Sequence, residues 1–279
     1  MTEERTYTDG SAGDVDYGAI GLNYAKYRQP DPHIAAQIMR ALGDAKTVLN
    51  VGAGAGSYEP RDREITAVEP SATMRAQRPL DLPAAIDAVA EDLPFADQSF
   101  DAAMATFTVH QWGNLEQGIN ELKRVTRGPI VIMAADPTRL HDLWVADYLP
   151  EALDVELGRF PRIETLVELL GEGTRVEEVA IPLDCTDGFT EAYYGRPERL
   201  LEPGVQRAMS SWTIVDPLLV YRFMDTLGKD LASGEWDRRY GQLRTQPTYH
   251  GALRLIVKDI PKPKTFASRV ATTVASWLL

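Results

Sequence analysis

The residues with the clearest chemical potential are three glycines and a glutamate. Gly52, Gly54 and Gly56 alternate directly after the apolar run Val48–Val51, and Glu69 closes a second run, Ile65–Val68. Glycines let a chain turn sharply and let a ligand approach where a Cβ would collide. A carboxylate ending the neighbouring strand can accept hydrogen bonds from both hydroxyls of a ribose. Together they predict a nucleotide pocket. A dinucleotide site spaces its glycines G-x-G-x-x-G and sets the pyrophosphate on the helix that follows. Here Gly56 comes one place early, and residues 57–64, with Pro60 among them, leave room for a turn or two. His110 follows a later apolar run. An imidazole titrates near neutral pH, which makes His110 the best-placed general base; packing beside Trp112 is the competing role. The four histidines lack metal-ligand spacing, so no metal site is predicted, and Cys185 is alone.

These residues need a scaffold. Short apolar runs at Thr47–Val51, Ile65–Val68, Ala85–Val89, Phe100–Phe107 and Pro129–Ala135 alternate with turns and helical pieces. Continuous apolar strands alternating with helices indicate a parallel sheet covered on both faces. In the helix at His33–Leu42, Asp31 is the N-cap, Pro32 the first residue and Gly43 the stop. A second helix spans Leu115–Thr126; Arg139–Tyr148 and Ile163–Leu170 also read as helical. Arg175–Leu183 and Gly251–Val257 read as late strands separated by a long helical stretch. The fold class is therefore a doubly wound, Rossmann-like α/β sheet of seven mostly parallel strands with a late helical cap. Residues 1–16 read as a flexible leader and 17–258 as one domain, with a nucleotide-binding core at about 40–137 and a cap at about 186–248. Residues 259–279 read as a basic linker and a C-terminal helix that packs on its own domain or joins a homo-oligomer.

Composition narrows the class. The chain has 279 residues and a formal net charge of −12, which repels phosphate backbones and argues against nucleic acid or a polyanionic substrate. No apolar run approaches the ~20 residues of a membrane span, and no secretory segment opens the chain. The expectation is a cytoplasmic protein acting on a small molecule.

Between residues 50 and 137 the motifs become specific. The segment Ala90-Glu91-Asp92-Leu93-Pro94-Phe95-Ala96-Asp97-Gln98-Ser99-Phe100-Asp101 resembles a signature of class I S-adenosylmethionine-dependent methyltransferases, the ubiquinone/menaquinone-methyltransferase-like group. Glu69-Pro70-Ser71-Ala72-Thr73-Met74 resembles that family's acidic motif, and Thr106–Trp112 its segment after the fourth strand. The helix at 115–127 with Gly128-Pro129 resembles the element that follows. The resemblance implies S-adenosylmethionine as cofactor and methyl transfer to a small-molecule metabolite or natural product. It implies that Asn50, Gly52, Gly54 and Gly56 cradle the methionine and ribose end. Glu69 would hold the ribose, with Pro70 and Met74 beside the adenine. Ala90 and Glu91 would meet the adenine edge, and Thr106 and Phe107 would line the methyl side. Tyr24 and Arg28 resemble an N-terminal Y-x-x-x-R, in which Arg28 forks onto the methionine carboxylate. Asn50 and Val89 stand where the family usually carries acidic residues. Those two departures leave open a second function, a non-methylating or cyclase-like member that binds the same ligand. A nicotinamide oxidoreductase is disfavoured, because no tyrosine has a lysine four residues on. In the cap, Tyr193 and Tyr194 are expected to touch substrate.

Overall fold

In the computed structural model, residue 10 and residues 24–259 are described, with the side chains of residues 24 and 25 excepted. The leader and the tail helix predicted from sequence lie outside the described residues.

Six strands form one sheet: β1 (Thr47–Val51), β2 (Glu64–Val68), β3 (Ala102–Thr106), β4 (Ile130–Ala135), β5 (Thr174–Glu178) and β8 (Leu253–Lys258), in the order β2-β1-β3-β4-β8-β5. The pairs β1–β2, β1–β3 and β3–β4 are parallel; β8 runs antiparallel to β4 and to β5. The strand order reverses at β1, so a crevice opens beyond the carboxyl ends of β1 and β3, where open α/β sheets bind ligands.

The sheet has six strands, not the seven predicted. The run Ala85–Val89 makes a single parallel bridge, Val68↔Ile86. It can pair only with the edge strand β2, and Ile86 is 40% exposed, so little apolar burial supports a longer strand. The predicted strand 175–183 is broken in two. The Gln37 side chain hydrogen-bonds both the N–H and the C=O of Ala180, and β6 (Ile181–Pro182) beyond it pairs with β7 (Thr248–Tyr249) in a separate ribbon.

Alternation of side chains along the strands divides the core. In β4, Val131 and Met133 face the helix Pro32–Leu42, while Ile130, Ile132 and Ala134 face the helices Leu115–Val125 and Ile163–Leu170. Asp31 caps the first of these helices, accepting from His33 N–H at 2.8 Å and Ile34 N–H at 3.2 Å. The predicted helix 139–148 is instead two 3₁₀ turns, Pro137–Asp142 and Trp144–Asp147, and Pro150–Arg159 is the α-helix that follows. A third apolar cluster holds Trp144, Tyr148, Trp212, Phe223 and Trp236 together, so the cap draws on residues before the late strands as well as between them.

Candidate active site

Two cavities meet at the carboxyl ends of the strands. The first, about 860 Å³, is walled by Gly52–Ala55, Glu69, Pro70, Met74, Ala88–Glu91 and Thr106–Thr108. The second, about 720 Å³, is walled by apolar side chains from Leu140, Leu143, Phe160, Phe189 and Leu253, with His110, Glu156, Arg159 and Glu191 among them. Arg28 and Phe107 line both.

The backbone of the first cavity explains its glycines. Gly52 has φ +68°, and a Cβ there would fall 1.9 Å from Thr108 Oγ1. Only glycine gives this turn both its dihedral angle and its approach to β3. Glu69, 7% exposed, accepts from Gly54 N–H and Ser71 N–H, each at 2.8 Å. Burial raises its pKa, against the lowering effect of those two N–H groups. Met74 and Ala90 are buried in the wall, and the Glu91 carboxylate accepts from Asn114 N–H at 3.0 Å.

Asn50 and Gly56 do not line the cavity. Asn50 is fully buried and donates to Glu59 Oε1 at 3.0 Å. Glu59 in turn forms a bidentate pair with Arg78 at 3.0 and 2.8 Å, both side chains buried. Arg78 also donates to the Pro83 carbonyl. This network sits behind the glycine turn in the short crossover 57–64 and holds it without a helix. Tyr24 begins the short helix Tyr24–Tyr27, and its side chain lies outside the described residues.

At the junction, the Arg28 guanidinium lies 5.0 Å from the Phe107 ring centroid, and the Phe107 and Phe189 rings are 5.3 Å apart. Phe107 has φ +53°, a left-handed conformation that turns its ring into the wall between the cavities. Arg28 Nε donates to Asp187 Oδ1 at 2.5 Å, and the Tyr58 hydroxyl donates to Asp187 Oδ2 at 2.8 Å.

In the second cavity the electrostatics are unusual. His110 packs on Phe160 with ring centroids 4.4 Å apart. Burial, with Arg159 and Arg28 adding, pulls its pKa down to about 3, so its imidazole is neutral at physiological pH. Burial pushes Glu191 up to about 7 and raises Glu156. Sequence reasoning missed Glu156, Arg159 and Glu191. Their segments carry no motif, and only the folded cap brings them to one wall.

Tyr193 and Tyr194 do not reach this wall. Tyr193 packs in the cap core, and Tyr194 stacks on Tyr249 at 4.9 Å and donates to the Gln246 carbonyl. Both are rings of large area buried among other aromatics, the usual fate of such residues in a helical cap.

Comparison with known proteins places this geometry. The methyltransferase domain model matches residues 49–129, the segment that builds the first cavity's floor. A malonyl-[acyl-carrier protein] O-methyltransferase of Pseudescherichia vulneris is 29% identical over 70% of this chain and 87% of its own. The crystal structure of an Anabaena variabilis protein, provisionally named a methyltransferase from an antibiotic biosynthesis pathway, superposes with a TM-score of 0.77. It is 28% identical and covers 83% of this chain and 98% of that one. The domain match, the homologous O-methyltransferase and the Anabaena structure together support a class I S-adenosylmethionine-dependent methyltransferase. A methyltransferase of Thermotoga maritima, 15% identical over 86% of this chain and 93% of its own with a TM-score of 0.50, shares its fold. Among the described residues of the methyltransferase, no helix is long and apolar enough to cross a membrane.

Proposed function

We propose that the methyltransferase binds its donor in the first cavity and a small-molecule acceptor in the second, with transfer at the wall formed by Arg28 and Phe107. The carrying observation is that two separate cavities share only those two residues. The second cavity's apolar walls with a few polar groups among them suit a small molecule.

The residues fit the donor on structural grounds. The Gly52 turn has no room for a side chain, and Glu69 is held by two N–H groups with its carboxylate at the cavity wall. On this reading Gly52 and Gly54 present backbone to the methionine and ribose end, and Glu69 accepts from the ribose hydroxyls. Pro70 and Met74 pack on the adenine, Ala90 and Glu91 face its edge, and Thr106 and Phe107 border the methyl group. Arg28 takes the methionine carboxylate. Asn50 and Gly56 act one layer back: Asn50 holds the Glu59–Arg78 pair, and Gly56 completes the turn.

S-adenosylmethionine supplies a methyl group already activated on a sulfonium. The protein's contribution is alignment and exclusion of water, which is catalysis by proximity. The apolar side chains of the second cavity hold an acceptor body, and its polar wall orients the nucleophile. His110 touches the acceptor as a neutral imidazole; with a pKa near 3 it is a weak proton acceptor. The polar wall also favours a single polar head over a polyanion, in keeping with the charge of −12.

The test is product analysis. Purified enzyme is incubated with trideuteromethyl donor and fractionated small-molecule extract. The reading expects a metabolite carrying the intact trideuteromethyl group only when enzyme is present. Binding of the donor with no labelled product in any fraction would instead favour a non-methylating member.

A further inference from the structure

Asp187 ties together three segments around the donor cavity. It is 2% exposed and lines that cavity. One oxygen grips Arg28 Nε at 2.5 Å and the other accepts from Tyr58 at 2.8 Å. Arg28 comes from the segment preceding the helix Pro32–Leu42, Tyr58 follows the glycine turn, and Asp187 begins the late cap.

The surrounding backbone is zipped to the same end. Arg28 and Asp187 form an antiparallel bridge, and Gly188 N–H donates to the Tyr27 carbonyl at 2.9 Å. A Cβ on Gly188 would fall 2.5 Å from that carbonyl oxygen, so the two segments lie as close as backbones can. Asp31, while capping its helix, also accepts from Thr186 N–H at 3.2 Å. Tyr58 holds φ +62°, a costly conformation for a tyrosine, and its hydroxyl is spent on Asp187. Burial and the neighbouring Asp187 raise the Tyr58 pKa well above its ordinary value, so the phenol remains a donor.

We propose that Asp187 is a positioning residue for the methyl donor: by gripping Nε it fixes the plane of the Arg28 guanidinium at the junction of the two cavities, aimed at the donor's amino-acid end. This rests on the reading that the donor occupies the first cavity with its carboxylate at Arg28. A guanidinium recognises a carboxylate through a planar fork, so its orientation matters as much as its charge. Phe107 supports one face of that plane, and Asp187 locks its rotation. A buried, hydrogen-bonded acid is suited to this, because its removal takes away the hydrogen bond to Nε while the arginine keeps its charge.

The test compares two probes by calorimetry on the full chain. S-adenosylhomocysteine carries the amino-acid end; 5′-methylthioadenosine has the same nucleoside without it. Asp187→Asn is expected to weaken S-adenosylhomocysteine at least tenfold and to leave methylthioadenosine within twofold of wild type. In an Arg28→Ala background, Asp187→Asn is expected to add no further loss, because it acts through Arg28. Arg28→Lys, which keeps charge without the fork, should give the same selective loss and serves if Asp187→Asn does not fold. The proposal is overturned if either variant weakens both probes equally, which marks a structural role. It is also overturned if the losses from Asp187→Asn and Arg28→Ala multiply, or if the single variants bind S-adenosylhomocysteine as wild type does. Wild-type protein that binds neither probe would overturn the donor assignment itself, a result distinct from all of these.

Discussion

Gly52 faces Thr108 so closely that a Cβ on the glycine would fall 1.9 Å from the threonine Oγ1. This contact fixes the height of the glycine turn over the end of β3. Gly52→Ala therefore meets two penalties, a left-handed φ of +68° and a collision with a buried side chain. Gly43 has a similar φ of +57° with nothing within 4 Å of its would-be Cβ. Gly43→Ala should cost about 1–2 kcal/mol of strain alone, and Gly52→Ala roughly 1–3 kcal/mol more. Denaturant unfolding of the two variants measures the difference. Equal losses would show that Thr108 yields freely.

The Asn50–Glu59–Arg78 network makes a second, opposite test. Removing Arg78 strands a buried carboxylate, so Arg78→Met should lose about 3–5 kcal/mol of stability. Asn50→Asp would restore the acidic residue more usual in this family and here set a carboxylate against Glu59. Two buried carboxylates in contact force one pKa upward. A raised acid contributes stability at low pH and loses it as pH rises through its folded value. The stability deficit of Asn50→Asp against wild type should therefore be larger at pH 8 than at pH 5, read from chemical denaturation at both.

That network also shows how far the sequence could be read. Asn50 is at the motif position expected to touch ligand, and its apolar neighbours fixed β1 correctly. What changed its task is Glu59 and Arg78, which lie 9 and 28 residues on and carry no local pattern linking them. The first cavity's lining was legible because Gly52, Gly54, Glu69 and Ala90 sit at strand ends, where position along the chain dictates position in space. Short periodic elements such as Pro32–Leu42 were legible through their caps. The polar wall of the second cavity was not, because Glu156, Arg159 and Glu191 come from cap segments whose approach depends on tertiary packing. Tyr193 and Tyr194 misled for the same reason: aromatic rings mark a core and a pocket equally well.

Glu191 gives a pH signature of its own. Burial raises its pKa from 4.5 to about 7, and its Oε1 accepts from Ala252 N–H at 2.5 Å. The folded state holds this proton more tightly than the unfolded chain. Its stabilising contribution is thus complete below about pH 4.5 and fades as pH rises through about 7. Relative to Glu191→Gln, wild type should lose roughly 3 kcal/mol of stability between pH 4.5 and 8. Urea unfolding of both proteins across that range checks it; parallel curves would contradict the shift.

His110 should be silent across the neutral pH range. With a pKa near 3, its imidazole stays neutral from pH 5 to 9. Side-chain ¹⁵N NMR of uniformly labelled protein should show a neutral-imidazole resonance without a transition in that range, and His110→Gln should remove that resonance. A transition near pH 6.5 assigned to His110 would return it to the role of a general base poised near neutrality.

The most direct measurement is calorimetric titration of the wild-type enzyme and Glu69→Ala with S-adenosylhomocysteine. Glu69 stands at the end of β2, with its carboxylate positioned by Gly54 and Ser71. Charged hydrogen bonds to a ligand are worth about 1.5–3 kcal/mol. One site per chain in wild type and affinity at least tenfold weaker in Glu69→Ala is the predicted result. Equal affinity in the two proteins would contradict the placement of the donor ribose at Glu69.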